Sequence, residues 1–338
     1  MVETLKDVGE FGLIRRIRDL LNKEGAGQPA DLTVGIGDDT AAFKPRPGYE
    51  ILVTCDSVVQ GRHYLPRFMG ARDVGRRAMV INISDIGAMG GRPRYALISL
   101  GMKEETPVGD VEEMYRGFTE ALNPFHAVVI GGNLTRSEED VFIDITLIGE
   151  AKEGTVLRRS GARPGDIIFV TGYPGRAAAG LQLLLHSLAP VEHPLVTAYI
   201  KPLHRAIAGA AVAQSGCASA MIDTSDGFLG DLGHLCEESG VGAELFPERF
   251  PVSEDLWDAA ALLKKDPRDF FLGASDDYEL IITAAADRVS AIRSAVAASY
   301  DGPVSEVGRI MEQDHGICLV MQDGSRRTLI PEGWDHFI

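Results

Sequence analysis

A series of short β-branched runs, each stopped by Gly, Pro or Asp, constrains this chain most. "TVGI", "EILVTC", "YALISLGM", "AVVI" and "FIDITLIGE" succeed one another in the first half and read as strands. Leu13, Ile14, Ile17, Leu20 and Leu21 fall at helical spacing and predict an amphipathic helix over about residues 10–22, ending near Gly25. Val111, Met114, Tyr115, Phe118 and Leu122 mark a second helix among the strands, an α+β pattern rather than strict βαβ. The polar, glycine-containing segment "AKEGTVLRRSGARPGD" then separates this half from one that restarts with "IIFVTG". We place a domain boundary there, giving units 1–155 and 156–338. The second half alternates more regularly. Helices are expected over about 176–188 and 204–214, a strand at "ASAMID", a helix opening at "SDGFLGDLGHL", and strands near 278–284, 305–311 and 317–321.

A chain of 338 residues with 45% hydrophobic content can bury two cores. Its 33 Lys+Arg against 49 Asp+Glu give a formal charge of −16, which argues against nucleic acid or anionic membrane as partner. Cys55, Cys217, Cys236 and Cys318 are widely spaced and form no CxxC pair, so neither a zinc ribbon nor a disulfide framework is indicated. The N-terminal stretch is charged and lacks the apolar core of a signal peptide, and no run approaches the length of a membrane span. A cytoplasmic protein is expected.

The acids are placed in a pattern. Asp38 and Asp39 follow "TVGIG", Asp56 follows "ILVTC", Asp223 and Asp226 follow "SAMI", and Asp276 and Asp277 follow "FFLGAS". Strand ends are where α/β proteins build their sites. Asp85 differs: Val74, Ala78, Ile81, Asp85 and Met89 are spaced three or four apart, which puts it on a buried helix, where a carboxylate needs a partner or a metal. Any one acid after a strand serves equally well as a turn or a helix cap. Gathered together they would repel unless divalent cations lay among them, and hard oxygen ligands suit Mg²⁺, which takes its remaining ligands from substrate phosphates.

The sequence has no G-x-x-x-x-G-K-[ST] loop, no G-x-G-x-x-G between strand and helix and no H-R-D. It offers instead the glycine turns "GIGDD", "VIGGN" and "VTGYPG", whose backbone N–H groups could meet phosphate oxygens, with Arg159 in support.

"GEFGLI", "GIGDDTA", "VTCDSVVQGRH", "VINISDIGAMGGRP", "VVIGGNLTRS", "RRSGARPGD", "IDTSDGFLGDLGHL", "DDYEL" and "GWDHF" occur in the order seen in the thiamine-monophosphate kinase family, which the chain resembles over about residues 9–337. The resemblance implies a two-domain α/β fold shared with aminoimidazole ribonucleotide synthetase. It further implies a homodimer whose N-terminal sheets form a barrel, an active site in a cleft between domains, and transfer of the ATP γ-phosphoryl group to thiamine monophosphate with several Mg²⁺ ions. The first domain would bind ATP and Mg²⁺ and dimerise, and the second would complete the active site. Carried over by position, Asp39, Thr54, Cys55, Asp56, Asp85, Asn133, Asp223 and Asp226 match the Mg²⁺ site, Cys55 through its carbonyl. Tyr115, Gly132, Asn133, Arg159 and Ser225 match ATP positions, and His63, Asp276 and Trp334 match the thiamine side, where an indole stacks on a cationic ring. Each has a plainer reading as well: Tyr115 as core on its amphipathic helix, His63 as a surface histidine, Trp334 as a plug for the C-terminal tail.

The chain departs from the family pattern twice. Gly131-Gly132-Asn133 replaces Gly-Gly-Asp, exchanging a charged ligand for an amide. Ala274-Ser275-Asp276-Asp277 stands where Gly-Gly-Glu-Asp is usual, with less freedom for φ > 0 and a shorter acid. A related ATP-dependent enzyme with another acceptor, or a weakly active nucleotide-binding paralogue, therefore stand beside the leading expectation.

Overall fold

The computed structural model describes residues 2–331. The chain divides into two units, one of residues 1–86 and 92–153, the other of residues 87–91 and 154–338.

The first unit runs α1 (Leu5–Glu24), β1 (Leu32–Val34), β2 (Ala42–Phe43), β3 (Tyr49–Val59), α2 (Ala71–Ala88), β4 (Arg92–Met102), α3 (Val108–Leu122), β5 (Val128–Arg136) and β6 (Phe142–Lys152). α1 starts earlier than its periodicity predicts, but Gly9 at φ 65° breaks it, so the regular stretch begins where the apolar spacing does. It ends at Gly25, whose N–H reaches the Leu21 carbonyl. Four strands form a sheet in the order β3-β6-β4-β5, antiparallel except for β4 against β5. "TVGI" contributes only the short β1, paired with β2 apart from that sheet.

Alternation gives the sheet two unlike faces. Ile143, Ile145 and Leu147 of β6 and Ala96, Ile98 and Leu100 of β4 are fully buried on one. α2 lies against this face, so close that a Cβ on Gly149 of β6 would meet Ile86 at 2.6 Å. α2 and α3 touch backbone to backbone, where a Cβ on Gly117 would meet the Arg72 carbonyl at 2.1 Å. The other face is half open: Ile51 and Val53 of edge strand β3 are 42% and 63% exposed.

The second unit runs β7 (Ile167–Thr171), α4 (Arg176–Leu185), α5 (Pro194–Ile200), α6 (Ala206–Ser215), β8 (Ala220–Asp223), α7 (Phe228–Ser239), β9 (Val241–Leu245), α8 (Glu254–Leu263), α9 (Arg268–Phe271), β10 (Leu280–Ala284), α10 (Val289–Ala297), β11 (Val304–Glu312), β12 (Ile317–Val320) and β13 (Arg326–Leu329). Its seven strands form one sheet in the order β13-β12-β9-β11-β7-β10-β8, in which only β12 and β9 pair in parallel. β9, "VGAEL", is buried at every position and so lacks the alternation that marks a strand in sequence. β13, "RRTL", is a polar edge. Apolar residues on both faces of the sheet form the core, Ile168, Val170 and Ile281 on one and Phe169, Met221 and Ile282 on the other.

Candidate active site

In the first unit, β3 presents Thr54 and Asp56 on the face that meets α2. There the Thr54 hydroxyl donates to Asp85 Oδ2 at 2.6 Å. The buried stripe of Val74 and Ala78 thus ends in a half-buried carboxylate that accepts from a hydroxyl on a strand 31 residues earlier. Asp38 and Asp39 occupy an exposed bend after Gly37, and Asp38 accepts the Asp39 N–H at 3.0 Å. All five are hard oxygen donors.

Cys55 turns its thiol to the opposite face, where the Sγ lies 3.7 Å from Asp144 and Ser57 donates to the same carboxylate at 2.6 Å. Only the Cys55 carbonyl remains available as an ion ligand beside Thr54 and Asp56. Asn133 shares this outer face: the register runs Ser57, Asp144, Ser99, Asn133 across the four strands. It also stands on the far edge strand, three strand spacings or about 14 Å from β3. Gly132 beside it has no room for a side chain, since a Cβ would meet the Ile98 carbonyl at 1.8 Å.

Tyr115 is buried on α3, edge-on to Phe118 at 5.3 Å, and burial pushes its hydroxyl pKa up. It is a core residue in this geometry. His63 closes a turn, its Nδ1 accepting the Val59 N–H at 3.0 Å. A cavity of about 320 Å³ lies among α1, α3 and the start of β5, with Arg18, Asn22, Gln28, Ile36 and Val129 in its walls. Ile36 precedes Asp39, and Val129 precedes Gly132, by three residues each.

In the second unit the acids are local in sequence. β8 ends on buried Asp223, the loop Thr224–Gly227 follows, and buried Asp231 on the first turn of α7 accepts the N–H groups of Asp226 and Gly227, each at 3.1 Å. Burial, with Asp223 and Asp226 nearby, pushes the Asp231 carboxyl up to about 8. The motifs in the sequence did not single out Asp231. Its i+5 and i+4 spacing from two loop residues was the available signal.

Residues 275–279 brace the same loop. The Thr224 N–H donates to the Glu279 carbonyl, and the Glu279 N–H donates to the Thr224 hydroxyl. The Tyr278 N–H donates to the Thr224 carbonyl, and Tyr278 is held at φ 54°, a costly conformation for an aromatic residue. Glu279 is buried, takes both arms of the Arg205 guanidinium and accepts from Thr171 at 2.6 Å. Arg205 also lies 4.2 Å over the Tyr300 ring. Arg159 is exposed beside edge strand β8, the carbonyl of its neighbour Arg158 accepting from Met221. Ser239 pins this loop by donating to the Arg159 carbonyl and accepting from Gly161 and Ala162.

One glycine turn is corrected. The amides after "VTGYPG" are already engaged: Asp277 accepts from Gly175 at 2.6 Å and Ala177 at 2.8 Å, and Ser275 accepts from Ala178 at 3.1 Å. A carboxylate of the chain itself occupies the α4 N-terminus where a phosphate was expected. Ser275, which replaces a usual glycine, contributes to that cap by donating to Asp277 at 2.7 Å, and neither it nor Ala274 has positive φ. Burial pushes the Asp277 carboxyl up to about 6 against these bonds. Trp334 lies outside the described residues.

Comparison with known proteins gives the family. The AIR synthase related protein family matches through its N-terminal domain over residues 37–151 and its C-terminal domain over residues 163–320. The thiamine-monophosphate kinase of Aquifex aeolicus is 33% identical over 336 residues, 98% of this chain and 99% of its own. The chain belongs to the thiamine-monophosphate kinase family. Among solved members, the enzyme from Stenotrophomonas maltophilia superposes with a TM-score of 0.81 at 33% identity, covering 94% of this chain and 98% of that one. The complex of AaThiL with AMPPCP and TMP superposes with a TM-score of 0.75 at 33% identity over the whole of both chains. The family fold is therefore the mixed α/β, two-domain one that the resemblance implied.

Proposed function

We infer that this chain transfers the γ-phosphoryl group of ATP to thiamine monophosphate, releasing ADP and thiamine diphosphate. The observation that carries the reading is full-length membership of the kinase family, including a relative in complex with AMPPCP and TMP. An oxygen of the acceptor phosphate attacks the γ-phosphorus as the bond to the β-phosphate oxygen breaks. A phosphomonoester is largely dianionic near neutral pH, so no protein base is required, and the chain's task is positioning and charge control.

The donor set fits Mg²⁺. Asp39, the Cys55 carbonyl, Asp56 and Asp85, with Thr54 orienting Asp85, offer hard oxygens in the first unit. Asp223 and Asp226 do so in the second, with Asp231 fixing their loop. Bound there, Mg²⁺ would neutralise phosphate charge and align the in-line displacement. Gly132 and Asn133 are assigned to ATP together with Ser225 and Arg159. The first unit's cavity, whose wall ends at Val129 three residues before Gly132, is of the size class of ligand pockets and supports a place for the base. Tyr115 can serve ATP only by shaping the core under that region. His63 and Asp276 are assigned to the thiamine side.

The protein is proposed to be a cytoplasmic homodimer. Edge strand β3 is 11 residues long and exposes Ile51 and Val53, a surface that seeks another strand. No helix among the described residues is long and apolar enough to cross a membrane.

The test is direct: purified protein with ATP, Mg²⁺ and thiamine monophosphate should form thiamine diphosphate. ATP binding without product would sink the reading in favour of another acceptor or an inactive paralogue.

A further inference from the structure

Away from the acids just described, β9, β12 and the turn joining β11 to β12 bring together three metal-ligating side chains of different chemistry. Glu244 and Cys318 are register partners in the parallel β9/β12 pair and share one face of the sheet. His315 ends the turn Gln313–His315, and its Nε2 lies 3.1 Å from Glu244 Oε1 and 3.3 Å from Cys318 Sγ. All three ligand atoms lie within 4.8 Å of one another.

The frame is rigid. The turn packs on β9 so closely that a Cβ on Gly242 would meet the Gly316 carbonyl at 2.5 Å, and Ala243 donates to that same carbonyl. The carboxylate supplies an independent observation. Glu244 is only 9% exposed, and its Oε1 accepts no well-aligned hydrogen bond although Arg326 Nη2 lies 2.9 Å away. A buried carboxylate oxygen aimed at an imidazole and a thiol, without a directed donor, is what an ion would satisfy.

We propose that Glu244, His315 and Cys318 form a binding site for a borderline-soft divalent transition-metal ion of the Zn²⁺ class. Ligand atoms around a tetrahedral ion with bonds of about 2.0–2.3 Å stand about 3.3–3.6 Å apart, so the two His315 contacts need open by only a few tenths of an ångström, and the Glu244–Cys318 pair already lies within 4.8 Å. Thiolate, imidazole and carboxylate together select Zn²⁺ over Mg²⁺. The thiol proton is released to solvent on binding, and water takes the fourth position. Arg326 is 60% exposed on the edge strand β13, so it can swing aside to admit the ion. The bound ion staples β9, β12 and their turn. The site is independent of the kinase reading.

The experiment uses the full-length protein freed of metal with a chelator and titrated with Co²⁺ as spectroscopic stand-in for Zn²⁺. One equivalent should produce a thiolate-to-cobalt charge-transfer band and the intense d–d bands of a four-coordinate ion, and Zn²⁺ should abolish both. Cys318→Ser should lose the charge-transfer band, whereas Cys55→Ser, which removes the other thiol beside a carboxylate, should keep it. His315→Gln changes only the turn, so it gives the same reading should Cys318→Ser fail to fold. Arg326→Ala should tighten binding by on the order of tenfold, because it removes a cation that competes with the ion for Glu244. A titration without the charge-transfer band, or a band that survives in Cys318→Ser or His315→Gln, overturns the proposal.

Discussion

The two units hold their acids by opposite means. In the first, Asp85 is half-buried and accepts from the Thr54 hydroxyl on a distant strand, while Asp38 and Asp39 stand in solvent. In the second, Asp223 and Asp231 are buried, and their loop is tied to a strand end through Thr224, Tyr278 and the Glu279–Arg205 pair. An exposed carboxylate keeps its hydration and costs the fold little, whereas a buried one must be compensated by partners fixed elsewhere in the chain. Substitution in the first unit should therefore act mainly on activity, and in the second on stability as well.

The largest expected effect lies in the second unit. Arg205→Ala leaves the buried Glu279 without its cation, and should lower unfolding free energy by about 3–5 kcal/mol in chemical denaturation. A loss below about 1 kcal/mol would erase the contrast. Next, Asp85→Asn in the first unit should reduce kcat/KM by about 10²–10³-fold while stability changes by less than about 1 kcal/mol. An unfolded variant would show that Asp85 is structural after all.

Asp277→Ala removes the cap on α4 and should cost about 2 kcal/mol. The pH dependence of this group has a definite sign. Its carboxyl rises from the ordinary 3.8 to about 6 in the folded protein, so the fold binds the proton more tightly than the unfolded chain does. Its contribution is full below pH 3.8 and is lost as pH climbs through about 6. Denaturation of the Asp277→Asn variant should lack that decline, and an identical pH profile would contradict the burial. The smallest effect is expected at the first unit's far edge. Asn133→Asp should change the Mg²⁺ concentration for half-maximal rate by no more than about threefold, because the new charge lies on the outer face and about 14 Å from β3. A tenfold drop would mean that a second copy brings β5 to the ions.

Much of this is legible in the chain alone. Asp223 ends its strand as its place after "SAMI" predicts, and Asp85 emerges from three- and four-residue spacing alone, but Asp56 lies inside β3 and Asp276 follows the helix α9 instead of a strand, because local β-branched runs do not mark where pairing stops. Asp231 escapes notice although it lies inside the motif "IDTSDGFLGDLGHL", because a first-turn helical acid reads as a favourable interaction with the helix dipole. The "VTGYPG" turn is legible as a set of free amides but not as an occupied one, since its occupant lies 100 residues further on.

Sequence by itself determined the types of the strongly patterned strands and helices and which residues could donate hard oxygens, because backbone preference and side-chain chemistry act over a few residues. Tertiary structure alone decided which donors share a face, which amides are already bonded, and that Glu244, His315 and Cys318 meet. Those are matters of register and burial between segments separated by as many as about a hundred residues, and nothing in the local chain encodes the distance that folding closes.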